Sequence, residues 1–289
     1  GVTGGTFSPA GAGAGTHTIT YTYTDGNGCI NSATDEMTVH ALPVVTLDIS
    51  TTEFCVDDSD FTLDGNLPIG GAWSGNGVTG GTFSPSGAGV GTHTITYTYT
   101  DGNGCVNSAD DDITVHALPV VTLDITTTEF CIDDNAYTLD GGSPVGGEYT
   151  GTGVSAGLFT PATAGAGTHT ITYTYTDGNG CVNSATDELT VHALPVVTLD
   201  ITTTEFCVDD SDYTLDGNLP IGGAWSGNGV TGGTFSPAGA GAGTHTITYT
   251  YTDGNGCINS ATDEMTVHAL PVVTLDISTT EFCVDDSDF

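Results

Sequence analysis

Apolar and polar residues alternate with a period of two in short runs along this chain, and most runs end in glycine, proline or an Asp-Gly-Asn-Gly turn. The clearest run is THTITYTYT at 92–100. Successive side chains on a strand point to opposite faces. His93, Ile95, Tyr97 and Tyr99 therefore share one face, and Thr92, Thr94, Thr96, Thr98 and Thr100 share the other. The Ile/Tyr face is the larger apolar one, so Ile95, Tyr97 and Tyr99 are expected in a core with Trp73 beside them. Threonine suits strands and tolerates water, and its face reads as the solvated side of a structural strand. A ligand-binding threonine array needs rows stacked at strand spacing, whereas each repeat here supplies one row.

The same reading divides 43–118 into further short strands: PVVTLDI, FTLDG, the aromatic stretch in GGAWSGNGV, GGTFSP and DITVHAL. The DGNG turn before the last strand is a hairpin signal, because Gly and Asn tolerate positive φ. The 43 glycines and the frequent threonines argue against helix, and no amphipathic helical period stands out. Six or seven short strands in about 76 residues predict an all-β fold of immunoglobulin-like β-sandwich type. A solenoid would repeat at roughly 20–30 residues instead.

The pattern recurs every 76 residues, and GTHTITYTYTDGNGC begins at Gly15, Gly91, Gly167 and Gly243. Residues 1–61 are identical to 229–289, so three repeats form a longer unit. Proline stiffens a linker and restricts the residue before it, which places the boundaries at HALPVV, before Pro43, Pro119, Pro195 and Pro271. That cut gives three complete domains, 43–118, 119–194 and 195–270. The tail of a preceding domain lies at 1–42 and the head of a following one at 271–289. Tandem sandwiches on short proline linkers are expected to form an extended rod.

Charge narrows the function. The chain carries 36 acidic side chains and no Lys or Arg. Without cations it cannot displace counterions from phosphates, so nucleic-acid binding is excluded. Arginine clamps and Schiff-base lysines are excluded with it. The one-signed charge favours solubility and a salty medium that screens repulsion. No apolar run reaches the roughly 18 residues of a membrane span, so no membrane insertion is expected in this segment. No nucleophile elbow marks a catalytic triad. Three near-copies of one active site in tandem would be unusual, so no enzyme is expected. His93 and His116 read as a strand and a linker histidine.

Each repeat holds two cysteines. Even, regular cysteines in such a chain imply disulfides and an oxidising compartment. The default pairing is within a repeat: Cys55–Cys105, Cys131–Cys181 and Cys207–Cys257, with Cys29 and Cys283 paired outside the complete domains. Closing a loop of about 50 residues would contribute on the order of 4 kcal/mol by chain entropy. One geometric observation leaves a second pairing open. Cys55 precedes the second strand and Cys105 follows the last hairpin turn, points that tend to lie at opposite ends of a sandwich. A Cys55–Cys181 bond between neighbours is then the alternative, and free thiols or metal binding a third. The acidic pairs Asp57/Asp58, Asp133/Asp134, Asp209/Asp210 and Asp285/Asp286 form one candidate calcium set. The turn residues Asp101/Asn103, Asp177/Asn179 and Asp253/Asn255 form another. Oxygen ligands select calcium. The competing reading makes these residues solvated turn formers.

The stretches FCVDDSDYTLDG, GGAWSGNGV, GTFSP, AGAGTHTITYTYTDGNGC and TDELTVHALP resemble the immunoglobulin-like or PKD-like repeats of giant Bacteroidota surface proteins, the adhesins and extracellular filament proteins. The resemblance covers nearly every residue of each copy. It implies export by the type IX route and a role as an extracellular stalk, adhesin or grappling filament at the cell surface. The partners expected are neighbouring repeats of the same chain and, because the three-repeat unit recurs at an offset of 228 residues, a homo-oligomeric lateral or helical assembly with a three-domain register. The alternative is a repeated glycan- or surface-binding module. That reading requires an exposed aromatic platform, for which Trp73, Tyr149 and Trp225 are the candidates.

Overall fold

The structure is a computed structural model that describes residues 1–277, Glu281, Cys283 and Val284. Asp285 and Asp286 lie outside the described residues. The protein is all-β, and its helices are four-residue turns such as Pro85–Ala88.

The strands between Glu53 and His116 form an immunoglobulin-like β-sandwich. One sheet orders its strands Glu53–Cys55, Val106–His116, Gly91–Thr100 and Ala72–Ser74. The second layer orders Phe61–Thr62, Thr82–Phe83 and Val78–Thr79. The central hairpin runs antiparallel from Gly91 opposite Val115 to Thr100 opposite Val106. Its turn forms because Gly104 adopts a φ of 81° and because Asp101 Oδ1 accepts from the N–H groups of Asn103 and Cys105, both at 2.9 Å. The edge strand Glu53–Cys55 instead runs parallel to the last strand, with Phe54 opposite Val115 and Cys55 opposite His116. The four-stranded order recurs at Glu129–Cys131, Val182–His192, Gly167–Thr176 and Glu148–Thr150, and again at Glu205–Cys207, Ile258–His268, Gly243–Thr252 and Ala224–Ser226.

The period-two pattern decides what is buried. Ile95, Tyr97, Phe83 and Ile113 expose no surface, and Ile49, Phe54, Leu63 and Val115 complete the core. Each such side chain contributes about 1.5–3 kcal/mol relative to leaving it in water. Tyr99 is half-buried. Trp73 is half-buried too, packed on the core with its ring centroid 4.8 Å from that of Tyr97. The buried Tyr97 hydroxyl donates to Pro68 O at 2.7 Å and accepts from the Gly71 N–H. The opposite face carries Thr94, whose hydroxyl donates to Asp112 Oδ1 at 2.8 Å. Gly65 admits no side chain: it has a φ of 77°, and a Cβ there would lie 1.8 Å from Asp48 O.

The chain divides into two compact units: Gly1–Val121 with Pro144–Gly147 and Thr174–Ser184, and Thr122–Ser143 with Glu148–Tyr173 and Ala185–Phe289. The first unit thus takes in the tip of a hairpin from the following repeat. It also contains the hairpin Gly15–Thr24 and Ile30–Val39, which has the same register as its copies but is faced only by the two-stranded pair Val2–Thr3 and Thr6–Phe7.

Candidate functional site

The part of this fold with distinctive chemistry is the junction between consecutive repeats. Cys55 ends the parallel edge strand beside His116, the last residue of the final strand of its repeat. A tight turn follows, in which the Cys55 N–H donates to Asp58 Oδ2 at 2.7 Å and the Asp58 N–H to Cys55 O at 3.0 Å. Only Ala117 and Leu118 separate His116 from Pro119. In the next repeat, the Asn183 side chain donates to Pro119 O at 2.9 Å. That bond returns the tip of the Tyr-rich hairpin to its own linker, and Cys181 lies two residues before Asn183.

The sulfurs meet there. Cys55 is bonded to Cys181 and Cys131 to Cys257, each with Cα atoms 5.5 Å apart and a sequence separation of 126. This corrects the default pairing within repeats. Cys105 directly precedes the strand Val106–His116, whereas Cys55 lies opposite His116 at its far end. At about 3.3 Å per residue the two are roughly 35 Å apart, and Cα atoms more than about 7 Å apart cannot be bonded. Cys131 and Cys181, and Cys207 and Cys257, are separated by the same strand length. Bonded hairpin cysteines are fully buried, with Cys181 and Cys257 at 0% exposure, while Cys105 is only half-buried. Cys207 and Cys29 are exposed and unbonded.

Each disulfide joins a cysteine of one acidic turn to a cysteine of another: Cys55, beside Asp57 and Asp58, to Cys181, beside Asp177 and Asn179; and Cys131, beside Asp133 and Asp134, to Cys257, beside Asp253 and Asn255. Among the described residues no close group of ligand atoms spans the two turns. Several of these oxygens are already used. Asp58 and Asp134 each accept from a cysteine N–H at 2.7 Å. Asp177 Oδ1 accepts from Asn179 and Cys181, and Asp253 Oδ1 from Asn255 and Cys257. Ligand atoms of Cys131, Asp133 and Asp134 lie within 4.8 Å of one another, as do those of Cys207, Asp209 and Asp210. Cys131 offers no thiolate, because its sulfur is in a disulfide. At Asp133 and Asp134 the remaining donors are hard oxygens, which fit calcium, whereas the cluster at Asp209 and Asp210 keeps the unbonded Cys207 sulfur.

Backbone donors to the turn carboxylates hold Asp101 and Asp25 below the ordinary carboxylate range, with the Cys105 and Cys29 N–H groups the largest causes. Asp64, Asp140 and Asp216 are lowered chiefly by the hydroxyls of Ser50, Thr126 and Thr202. The linker histidines face the edge strand, where His116 Nε2 donates to Glu53 Oε2 and His192 Nε2 to Glu129 Oε2. His93 Nε2 donates to Gly89 O at 2.8 Å.

Two polar residues escaped the sequence reading. Asp111 Oδ2 accepts from the Ile49 N–H at 2.8 Å, and Asn107 donates to Pro43 O at 2.8 Å. Both share the inward face of their strand with Ile113 and Val115, so the period-two pattern contained the signal. Together they tie the leading segment of a repeat to its last strand.

Trp73, Tyr149 and Trp225 are half-buried, each packed against the core of its own repeat. They do not form the exposed aromatic platform that a glycan-binding module requires. A concave surface lined by Phe7, Ala12, His17 and Ile19 lies on the open face of the first hairpin, where the complete repeats have their core.

No family model and no curated protein matches the chain. Among solved structures it is similar to a Ca2+-stabilised adhesin that helps an Antarctic bacterium reach out and bind ice, with 14% identity, a TM-score of 0.38 and coverage of 88% of this chain and 81% of that one. It is also similar to a 1.5-MDa bacterial ice-binding adhesin, with 14% identity, a TM-score of 0.30 and coverage of 80% and 99%. A third likeness is to the N-terminal eight Ig domains of Down Syndrome Cell Adhesion Molecule, with 13% identity, a TM-score of 0.33 and coverage of 88% and 43%.

Proposed function

We propose that the chain is a structural shaft segment of a large secreted bacterial surface protein used for adhesion, gliding or surface capture. The observation that carries this reading is the pair of disulfides that join each of two repeats to its successor. A binding module or an enzyme needs a site within a repeat. These sulfurs are instead spent between repeats, where they would carry load along the chain. The folding unit on this reading is the repeat cut at Pro43, Pro119 and Pro195. The Bacteroidota source and type IX export follow from the resemblance of the repeats, and homo-oligomeric assembly from the three-repeat unit; all belong to this proposal. An antibody against the chain should label intact, unpermeabilised cells of the source organism. Labelling only after permeabilisation would contradict the surface role.

A second reading concerns calcium. It is favoured by the close aspartate pairs Asp133/Asp134 and Asp209/Asp210 beside the edge-strand cysteines, in a chain with a formal charge of -36. Calcium would then raise the melting midpoint and a chelator would reverse the rise. An unchanged midpoint would leave the aspartates as turn formers.

A further inference from the structure

Cys29, Cys105 and Cys207 stand outside the two disulfides, and they fall into the same two classes as the bonded ones. Cys207 occupies the edge-strand position held by Cys55 and Cys131. Cys29 and Cys105 occupy the hairpin-tip position held by Cys181 and Cys257.

The local geometry of each unbonded cysteine is already that of its bonded counterparts. The Cys207 N–H donates to Asp210 Oδ2 at 2.7 Å, as Cys55 does to Asp58 and Cys131 to Asp134. Cys207 lies opposite His268 in a parallel register, as Cys55 lies opposite His116. The Cys105 N–H donates to Asp101 Oδ1 at 2.9 Å, as Cys181 does to Asp177 and Cys257 to Asp253. Cys29 repeats this with Asp25 at 2.8 Å. Each half has the same local hydrogen bonds with and without its partner. What differs is coverage: Cys207 and Cys29 are exposed and Cys105 is half-buried, whereas Cys181 and Cys257 are sealed.

We propose that Cys207 is a bonding site for the hairpin-tip cysteine of another repeat, and that Cys29 and Cys105 are bonding sites for the edge-strand cysteine of another repeat. The pairing is heterotypic, edge strand to hairpin tip, because both observed bonds are of that kind. Each repeat then carries one half of a junction at either end, and the interface is head-to-tail and does not close on itself. The partner chemistry is an EFC strand or a DGNGC hairpin of this same repeat type, supplied by a flanking repeat or by a second copy of the chain. Forming the bond removes two protons and two electrons from two thiols. A small-molecule disulfide such as oxidised glutathione accepts them and leaves as two thiols. The inference rests on the two observed junctions and is independent of the surface role.

The test uses the 289-residue chain in an oxidised/reduced glutathione buffer, prepared as a mixture of isotopically light and heavy protein. Digestion with an acidic-residue protease under non-reducing conditions then identifies the linked peptides. Peptides joining Cys207 to Cys29 or Cys105 are expected. Mixed isotopes in them identify a second copy as the source, and unmixed isotopes identify the same chain. C207S should remove these peptides while the Cys55–Cys181 and Cys131–Cys257 peptides persist. Chiefly homotypic Cys207–Cys207 peptides would overturn the proposal. So would thiols that stay free in a buffer where the Cys55–Cys181 bond re-forms.

Discussion

Residues 15–39 and 243–267 have the same sequence and the same hairpin register, Gly15 opposite Val39 and Gly243 opposite Val267. Their surroundings differ. Tyr21 is 71% exposed and Met37 43%, while Tyr249 and Met265 are at 0%. The ladder and its turn are therefore written locally, in the Thr/Tyr alternation and the DGNG turn, and keep their register where the facing layer is reduced to Val2–Thr3 and Thr6–Phe7. Burial is not local. It requires the leading segment of the repeat, which brings Ile201, Phe206 and Leu215 over the inner face at 243–267. The same side chain is a core residue in one place and a surface residue in the other, so paired substitutions separate the two contributions.

The largest contrast is expected at methionine and cysteine. Met265→Ala should destabilise its repeat by about 2–5 kcal/mol, the usual cost of emptying a core position. Met37→Ala should change stability by less than about 0.5 kcal/mol, as surface substitutions do. Denaturant melts of both variants test this, and equal effects would mean that the first hairpin is covered in solution. Cys257→Ser breaks a bond that closes a 126-residue separation, and loss of such a disulfide costs about 2–5 kcal/mol. Cys29→Ser in the monomeric protein should leave the melt where it was.

A smaller contrast lies in the staple aspartates. Asp263 Oδ2 accepts from the Ile201 N–H at 2.8 Å. Asp263→Ala leaves that donor unpaired at a cost of about 1–3 kcal/mol. Its counterpart Asp35 accepts only from the adjacent Glu36 N–H among the described bonds, and Asp35→Ala should be near neutral. A double-mutant comparison in which both cost the same would remove the staple from the account.

The smallest effect is in pH. Asp64, Asp140 and Asp216 titrate below their ordinary value of 3.8 in the folded protein. The unfolded chain then binds more protons in that window, so their stabilisation is complete above the ordinary value and is lost as pH falls through the folded one. The melting midpoint should fall in acid below about pH 4, and Asp216→Asn should flatten that fall. A variant whose acid limb matches the parent protein would show that these hydrogen bonds do not couple to folding.

The sandwich was legible because it depends on period and turn chemistry, both written within about ten residues. The strand Thr92–Thr100 and its inward residues Ile95 and Tyr97 are of this kind. The disulfide connectivity was not legible as a choice. Spacing permits both Cys55–Cys105 and Cys55–Cys181, and what excludes the first is the parallel pairing of Cys55 with His116, a contact between residues about 60 positions apart. Asp111 was overlooked for a different reason. A carboxylate on an inward face reads as a break in the pattern until the N–H it receives is known.

The central claim is that consecutive repeats are joined covalently, and pulling the chain from its two ends measures that directly. Along the backbone, about 200 residues separate Cys55 from Cys257. Through the two disulfides the shortest covalent path is about 50 residues. At about 3.4 Å per extended residue, the fully unfolded oxidised chain should be roughly 500 Å shorter than the reduced one. Recovery of that length on adding reductant is the predicted result. Equal contour lengths before and after reduction would contradict the joined-repeat structure.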